Sequence, residues 1–272
     1  MIHIVTHANR DLYADELLQA HRQRREAFVE QRGWPLSVRE DGGEYDEGDD
    51  ERAIYFLAID KAGQVEASMR ARPTDDFCVV ADVFPHFLAD GPASAKAPDV
   101  WEIARWVAVG RTRGPEGFNR RGELRLAVIE QALACGVRKI VGMTDLYLLG
   151  PAMRSGWRVK PIGIPADYGQ GQGVAVEVEV SEGAVVELRE RLALDRSPRL
   201  HIQPGHPLQA LPKPEIEAFA ETYDQSASDI SHFLRTVVRR VAEIETAEGE
   251  EAAVRLLADA LDIVRASSRL DA

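Results

Sequence analysis

The chain has 272 residues, a formal net charge of −12, and a composition of 45% hydrophobic and 29% charged residues. That length suits one good-sized domain, or one domain plus an appendage, and the composition is that of a soluble globular protein. The acidic balance argues against non-specific nucleic-acid binding by the whole surface. No apolar run approaches the roughly 20 residues that span a bilayer, and two cysteines, Cys78 and Cys135, are too few for a disulfide framework or a thiolate metal site.

The opening MIHIVTHANRD lacks the basic stretch of a secretory signal, which predicts a cytoplasmic protein. Within it, IHIV reads as a first strand. Residues 11–32 read as a helix with Leu17, Leu18, His21 and Phe28 on one face and Gly33 at its end. At about 100° per residue Arg24 falls about 20° from Leu17, on the apolar stripe, so it must snorkel or meet an anion. The stretch GGEYDEGDD at 42–50 then packs Glu44, Asp46, Glu47, Asp49 and Asp50 together. Clustered like charges usually point into water, and carboxylates held for a cation are the alternative.

AIYFLAID and QVEASMRARP read as two strands of a hairpin joined by KAG, with Arg70 and Arg72 on one face of the second. An irregular stretch carrying Phe84 and Phe87 follows. VWEIARWVAVG, 100–110, is a buried strand with two charges, Glu102 and Arg105, which a regular strand would place on opposite faces. Either a bulge turns both toward one cleft or they serve different partners, and bulges cluster next to active sites. A partly desolvated carboxylate there suits an ammonium or a base, with a structural ion pair as the plain alternative.

Residues 120–137 read as an amphipathic helix ended by Gly136, 138–145 as a strand, and 146–156 as a short helix interrupted near Gly150-Pro151. Strands at 157–165 and 173–181 and a helix at 182–194 complete a pattern that predicts an α+β or α/β domain with a largely antiparallel sheet, covering 1–195. Residues 196–214 are rich in proline and predict a linker or arm; 215–272 predict a helical C-terminal extension. Residues 101–160 carry eleven Lys and Arg against five acids, a local balance of +6, and so offer a docking surface to an acidic macromolecule. No metal is expected, because the histidines show no HExxH or Cys/His spacing, and neither a G-x-S-x-G elbow nor a phosphate loop occurs.

Five fragments stand in register: Arg24-x-x-x-Phe28 with Gly33-Trp34, Glu44-x-Asp46-x-x-Asp49, Arg70-x-x-Pro73-Thr74, Trp101-Glu102-x-x-Arg105, and Ser155-Gly156-Trp157. Their order and spacing resemble the acyl-homoserine-lactone synthases of bacterial quorum sensing, the LuxI-type family, over about residues 1–195. The resemblance implies a three-layer, GNAT-like acyltransferase fold with a mixed, largely antiparallel central sheet flanked by helices. It implies an enzyme that joins S-adenosylmethionine to an acyl group from acyl carrier protein or coenzyme A, and no cofactor beyond these substrates. The methionine amine attacks the thioester, and its carboxylate closes on the γ-carbon with release of methylthioadenosine.

Carried over by position, the catalytic residues are Glu102, Arg105 and Arg70, and the S-adenosylmethionine-binding residues are Arg24, Phe28, Trp34, Asp46 and Asp49. The working expectation is that Asp46 and Asp49 orient the cationic end and that arginines receive the carboxylate. Glu102 then helps remove an amine proton through water, and backbone amides beside the 100–110 strand stabilise the oxyanion. Phe84, Trp106, Met143 and Thr144 are candidates for the acyl pocket. Glu44 occupies a motif position without an assigned role, and the glycine-rich 42–50 loop is expected to be mobile without S-adenosylmethionine. Acyl carrier protein, being acidic, would dock on the basic 101–160 region, and the acidic C-terminal helices would either cover that surface or pair in a homodimer.

Arg72 departs from the family pattern, where an apolar residue is common, and the GPAM segment at 150–153 stands where an unbroken helix is expected. Two other readings stay open. A GNAT-type N-acetyltransferase would want a pyrophosphate loop before the helix near 120, and Arg111-Thr-Arg-Gly114-Pro-Glu116 ends in a carboxylate that repels phosphate. A non-catalytic binding module on the same fold predicts an incomplete charged set, whereas all six members are present.

Overall fold

The structure, a computed structural model, describes residues 1–60, 62–109, 115–194 and 197–202, with the side chains of 115–119 excepted. Met1–Asp60 and Gln64–Arg199 form one compact unit. The expected arm and C-terminal helices, beyond residue 202, lie outside the described residues.

A mixed sheet runs through the unit. Its strands are β1 (Ile2–Val5), β2 (Ile54–Ile59), β3 (Val65–Pro73), β4 (Val100–Ala108), β5 (Lys139–Asp145), β6 (Val159–Pro161), β7 (Ala166–Asp167) and β8 (Gln172–Glu179). They lie in the order β6-β8-β5-β4-β3-β2-β1, with β7 also on β8. Every one of these neighbours is antiparallel except β4 and β5. A parallel neighbour needs a crossover, and α2 (Pro115–Ala134) supplies it. Alternation along the strands sorts the two faces. Ala67, Met69, Ala71 and Trp101 bury one face against Leu124, Ala127, Val128 and Ile129 of α2 and Leu188 of α4 (Glu182–Leu192). Val5, Tyr55 and Leu57 bury the other against Leu17 and Ala20 of α1 (Ala14–Arg24). Farther along that second face, Cys78, Val80 and Phe87 cover Val141 and Ala175. The result is the three-layer α+β arrangement that the resemblance implied. Fully buried side chains such as Phe56 and Leu124 each stabilise it by about 2 kcal/mol.

Two local details position the site. α1 carries Asp15 and Glu16 in its first turn and His21, Arg22 and Arg24 in its last, matching the helix dipole at both ends. It then widens into a π-helical turn, Arg25–Glu30, and Gly33 reverses the chain at φ +68°. The Trp34 N–H consequently donates to the Phe28 carbonyl at 2.9 Å. The second detail is α3 (Leu146–Met153), which runs through Pro151 without the expected interruption. The only intrahelical bond that Pro151 forfeits is to the Tyr147 carbonyl, and Tyr147 is exposed, so water can serve that oxygen.

Candidate active site

The irregularity in β4 makes the site. β3 and β4 are in register at Ala67–Ala108 and Ser68–Val107 and again from Arg70–Ala104 to Pro73–Trp101, so β4 carries one extra residue between the two blocks. Arg105 sits at that point with φ +56°, in the left-handed region that a residue with a Cβ enters at a cost of about 1 kcal/mol or more. The bulge moves Arg105 to the face that already holds Arg70, Arg72 and Glu102, and sends Trp106 to the α2 face. There Trp106 packs edge-on to Trp157 at 5.8 Å beneath the Arg125 guanidinium.

Three arginines and three acids meet on the Arg70 face. Arg24 donates from Nε to Glu44 at 2.6 Å and from both Nη atoms to Asp49 at 2.7 and 2.8 Å. Arg70 pairs with both oxygens of Asp46 and, at 2.9 Å, with Asp49. Arg105 reaches Glu44 at 3.0 Å and Asp46 at 2.7 Å. Tyr55 adds a hydroxyl donated to Asp49 at 2.9 Å. The charges balance, which is what lets so many of them lie out of water. Burial disfavours the Asp49 carboxylate, yet the Arg24 hydrogen bonds and the Arg70 and Arg24 charges override it and hold Asp49 far below the usual range. Burial likewise works against the Arg70 guanidinium, and Asp49 and Asp46 overcome it.

Within this net the expected ligand contacts divide. The Arg24, Glu44, Asp49 and Arg70 side chains are at most 3% exposed, whereas Asp46 and Arg105 keep 20% and 12%. The cavity between Arg24, Tyr55, Arg70 and Arg105 measures about 10 Å³, room for about one water. Glu44, left without a role by the sequence, is the bridge between Arg24 and Arg105. Its one sequence signal was the motif position. Tyr55 gave none beyond strand alternation.

The 42–50 loop is tied down along its length. Asp49 accepts the Asp46 N–H at 2.8 Å, and Asp46 accepts that of Gly48 at 2.8 Å. Asp50 is held by Arg72, whose guanidinium also binds Asp76. Arg72, unusual for the family, thus anchors the far end of the loop. Gly48 lies flat on Arg70, where a Cβ would come within 2.6 Å of Nη2.

Glu102 shares the face but not the partners. Its carboxylate accepts the N–H groups of Val79 and Val80, both at 2.8 Å, and the Cys78 thiol at 3.5 Å. Burial pushes its pKa up, against the pull of those N–H bonds and of Arg70, and burial beside Glu102 pushes the Cys78 thiol up to about 12. Both halves of the sequence alternative therefore hold: a bulge brings the two charges to one face, and they serve different partners.

Phe28 and Trp34 stack at 5.1 Å, with the Arg105 guanidinium 5.7 Å from the Phe28 centroid. Beside them the β4–β5 register covers Val100–Glu102 only, although both strands continue beyond it. Beyond Glu102 the rest of β4 and the end of β5 are no longer paired. The four acyl-pocket candidates split across the sheet. Phe84 and Met143 pack against the same cluster on the Arg70 face, Trp106 packs on the opposite face, and Thr144, next to Met143 on β5, also points to that opposite face. Arg111–Gly114, on which the acetyltransferase reading turns, lie outside the described residues.

A family model described as Autoinducer synthase matches residues 9–188. The chain belongs to that family. This autoinducer synthase is 31% identical over 227 residues to the isovaleryl-homoserine lactone synthase of Bradyrhizobium diazoefficiens, covering 84% of the chain and 100% of the relative. It is 27% identical over 168 residues to an acyl-homoserine-lactone synthase of Ralstonia nicotianae, covering 61% and 82%. Among solved structures, the CoA-dependent acyl-homoserine lactone synthase BjaI, bound to SAM and isopentyl-CoA, superposes with a TM-score of 0.66 at 29% identity over 75% of this chain and 94% of that one. MesI, also CoA-dependent, gives 0.64 at 26% identity over 73% and 98%. The GNAT-like fold implied by the five fragments is the fold that this autoinducer synthase shares with them.

Proposed function

We propose that this autoinducer synthase is an acyl-homoserine-lactone synthase, an acyltransferase that acylates the amine of S-adenosylmethionine from an acyl thioester and then closes the lactone. The observation that carries the reading is the placement of Asp46 and Arg105. They are the least buried pair of a neutral charge net, and the Arg105 guanidinium stands beside the Phe28–Trp34 stack where β4 leaves β5.

S-adenosylmethionine presents an ammonium, a carboxylate and a sulfonium. Asp46 suits the ammonium, Arg105 suits the carboxylate, and the stacked rings suit the cationic sulfur and its adenosine. Arg24, Glu44, Asp49 and Arg70 act behind them by fixing their positions. The amine loses its proton to Glu102, through a water, and attacks the thioester carbon; the thiolate leaves. N–H groups of β4 beyond Glu102 take the oxyanion. The methionine carboxylate then attacks its own γ-carbon, and the C–S bond breaks toward methylthioadenosine.

The acyl donor in this reading is a coenzyme A thioester. Two solved relatives are named as CoA-dependent, and the basic 101–160 region is partly spent within the fold. Arg120 pairs with Glu66, Arg138 with Asp99, Lys139 with Glu177, and Arg158 with Glu179 and Glu187, which weakens it as a dock for an acidic carrier protein. Comparing methylthioadenosine release with matched acyl-CoA and acyl-carrier-protein donors tests this: faster release with the carrier protein overturns the donor assignment. No helix among the described residues is long and apolar enough to cross a membrane, and the cytoplasm, where both substrates occur, is the location that fits. Dimerisation through the C-terminal helices lies outside the described residues.

A further inference from the structure

Trp34 lies in a stretch, 31–40, that is mostly exposed, so its large ring needs a support that the local chain does not supply. Arg32 provides it from one side, with its guanidinium 5.2 Å from the Trp34 centroid and 6.0 Å from that of Phe28. The same guanidinium crosses to the far end of β5, donating to Asp145 at 2.7 Å and to the Tyr147 hydroxyl at 3.2 Å. The other oxygen of Asp145 accepts the Tyr168 hydroxyl. Tyr168 closes the circuit, its ring edge-on to Trp34 at 5.9 Å and to Phe84 at 6.5 Å. Three segments distant in sequence thus meet around one carboxylate, at the end of β5 that is not paired with β4.

We propose that Arg32, Asp145 and Tyr168 form a clasp that positions the Phe28–Trp34 wall for S-adenosylmethionine, with Asp145 as its centre. These are positioning residues: Asp145 acts through Arg32 and Tyr168 and never touches the reacting atoms. The assignment rests on the reading that the aromatic pair receives S-adenosylmethionine. Its physical basis is that Asp145 accepts a charge-assisted bond and a phenolic one at once, so a single substitution frees both supports of the Trp34 ring. An ion pair this near the surface contributes little to global stability. Its loss is therefore felt at the wall and not in the fold.

The test is steady-state kinetics of Asp145→Asn, Arg32→Met and the double variant, with thermal unfolding alongside. The expected result is a KM for S-adenosylmethionine raised about fivefold to tenfold in each single variant, kcat within about twofold, an unchanged melting temperature, and a double variant no worse than either single one. Tyr168→Phe, which keeps the ring and loses the hydroxyl, is expected to show a smaller KM increase of the same kind. Unchanged KM in Asp145→Asn and Arg32→Met overturns the clasp, as does a loss of activity that only tracks a lowered melting temperature. Wild-type protein that neither binds S-adenosylmethionine nor releases methylthioadenosine overturns the underlying reading, and the clasp with it.

Discussion

Arg105 and Glu44 are 61 residues apart in sequence, and the Arg105 guanidinium lies 3.0 Å from the Glu44 carboxylate because a β-bulge places Arg105 at φ +56° on the same face as Arg70. Glu44 is fully buried and also takes the Nε of Arg24. Glu44→Gln keeps the shape but leaves two buried guanidinium groups short of one negative charge. The expected loss is about 3 to 5 kcal/mol of unfolding free energy, read from urea denaturation. A variant as stable as the wild type would show that the net is not closed through Glu44.

Gly48 faces the Arg70 guanidinium so closely that a methyl group would sit 2.6 Å from Nη2. Arg70 cannot swing aside while Asp46 and Asp49 hold it. Gly48→Ala is therefore expected to cost about 1 to 3 kcal/mol and to raise the KM for S-adenosylmethionine by displacing Asp46. Denaturation and kinetics on the same preparation check both, and a silent substitution argues against the close contact.

How much of this was legible in the sequence follows from range. Element positions along the sheet came through, because alternation on β3 and the buried pattern of β4 are local signals, and the charges on those strands stood out against apolar neighbours. The bulge was legible only as an alternative, since nothing in VWEIARWVA says which residue is extra. Arg24 on the apolar stripe had either to snorkel or to meet an anion, and the sequence did not say which, nor which of five acids would serve. Glu44 stayed without a role because its two partners, Arg24 and Arg105, come from α1 and β4. The Arg32–Asp145 pair spans 113 residues and left no trace at all. The expectation that the 42–50 loop is mobile without S-adenosylmethionine rests on its glycines, and local sequence does not show that Gly48 also permits a close approach to Arg70 or that Arg72 binds Asp50.

His21 adds a pH dependence. Its Nδ1 donates to the Glu44 carbonyl at 2.9 Å, and burial, helped by Arg24, pulls its pKa down from 6.5 to about 4. Between those values the unfolded chain binds a proton that the folded protein refuses. Stability from this residue is intact above pH 6.5 and falls as pH drops toward 4, by on the order of 3 kcal/mol in all. Melting curves of the wild type and His21→Asn should converge over that window as pH is lowered. A constant gap between them contradicts the assignment.

Glu102 predicts the acid limb of the activity profile. A base must be ionised, and burial raises this carboxyl above its ordinary range, so lactone formation is expected to rise with pH through an inflection above that of a free glutamate, about 4.3. Glu102→Gln should lose activity by at least 100-fold and lose that limb with it. Retained activity in the variant would move the base elsewhere.

In the proposed reaction one site couples acylation of S-adenosylmethionine to lactone closure. Purified protein incubated with S-adenosylmethionine and a panel of short acyl-CoA thioesters measures this directly, by quantifying free thiol and methylthioadenosine together and identifying the product by mass spectrometry. Equal amounts of thiol and methylthioadenosine and the mass of an acyl-homoserine lactone are expected from this coupling. Thiol released with every donor but without methylthioadenosine would contradict it, because the acyl group would then be going to another acceptor.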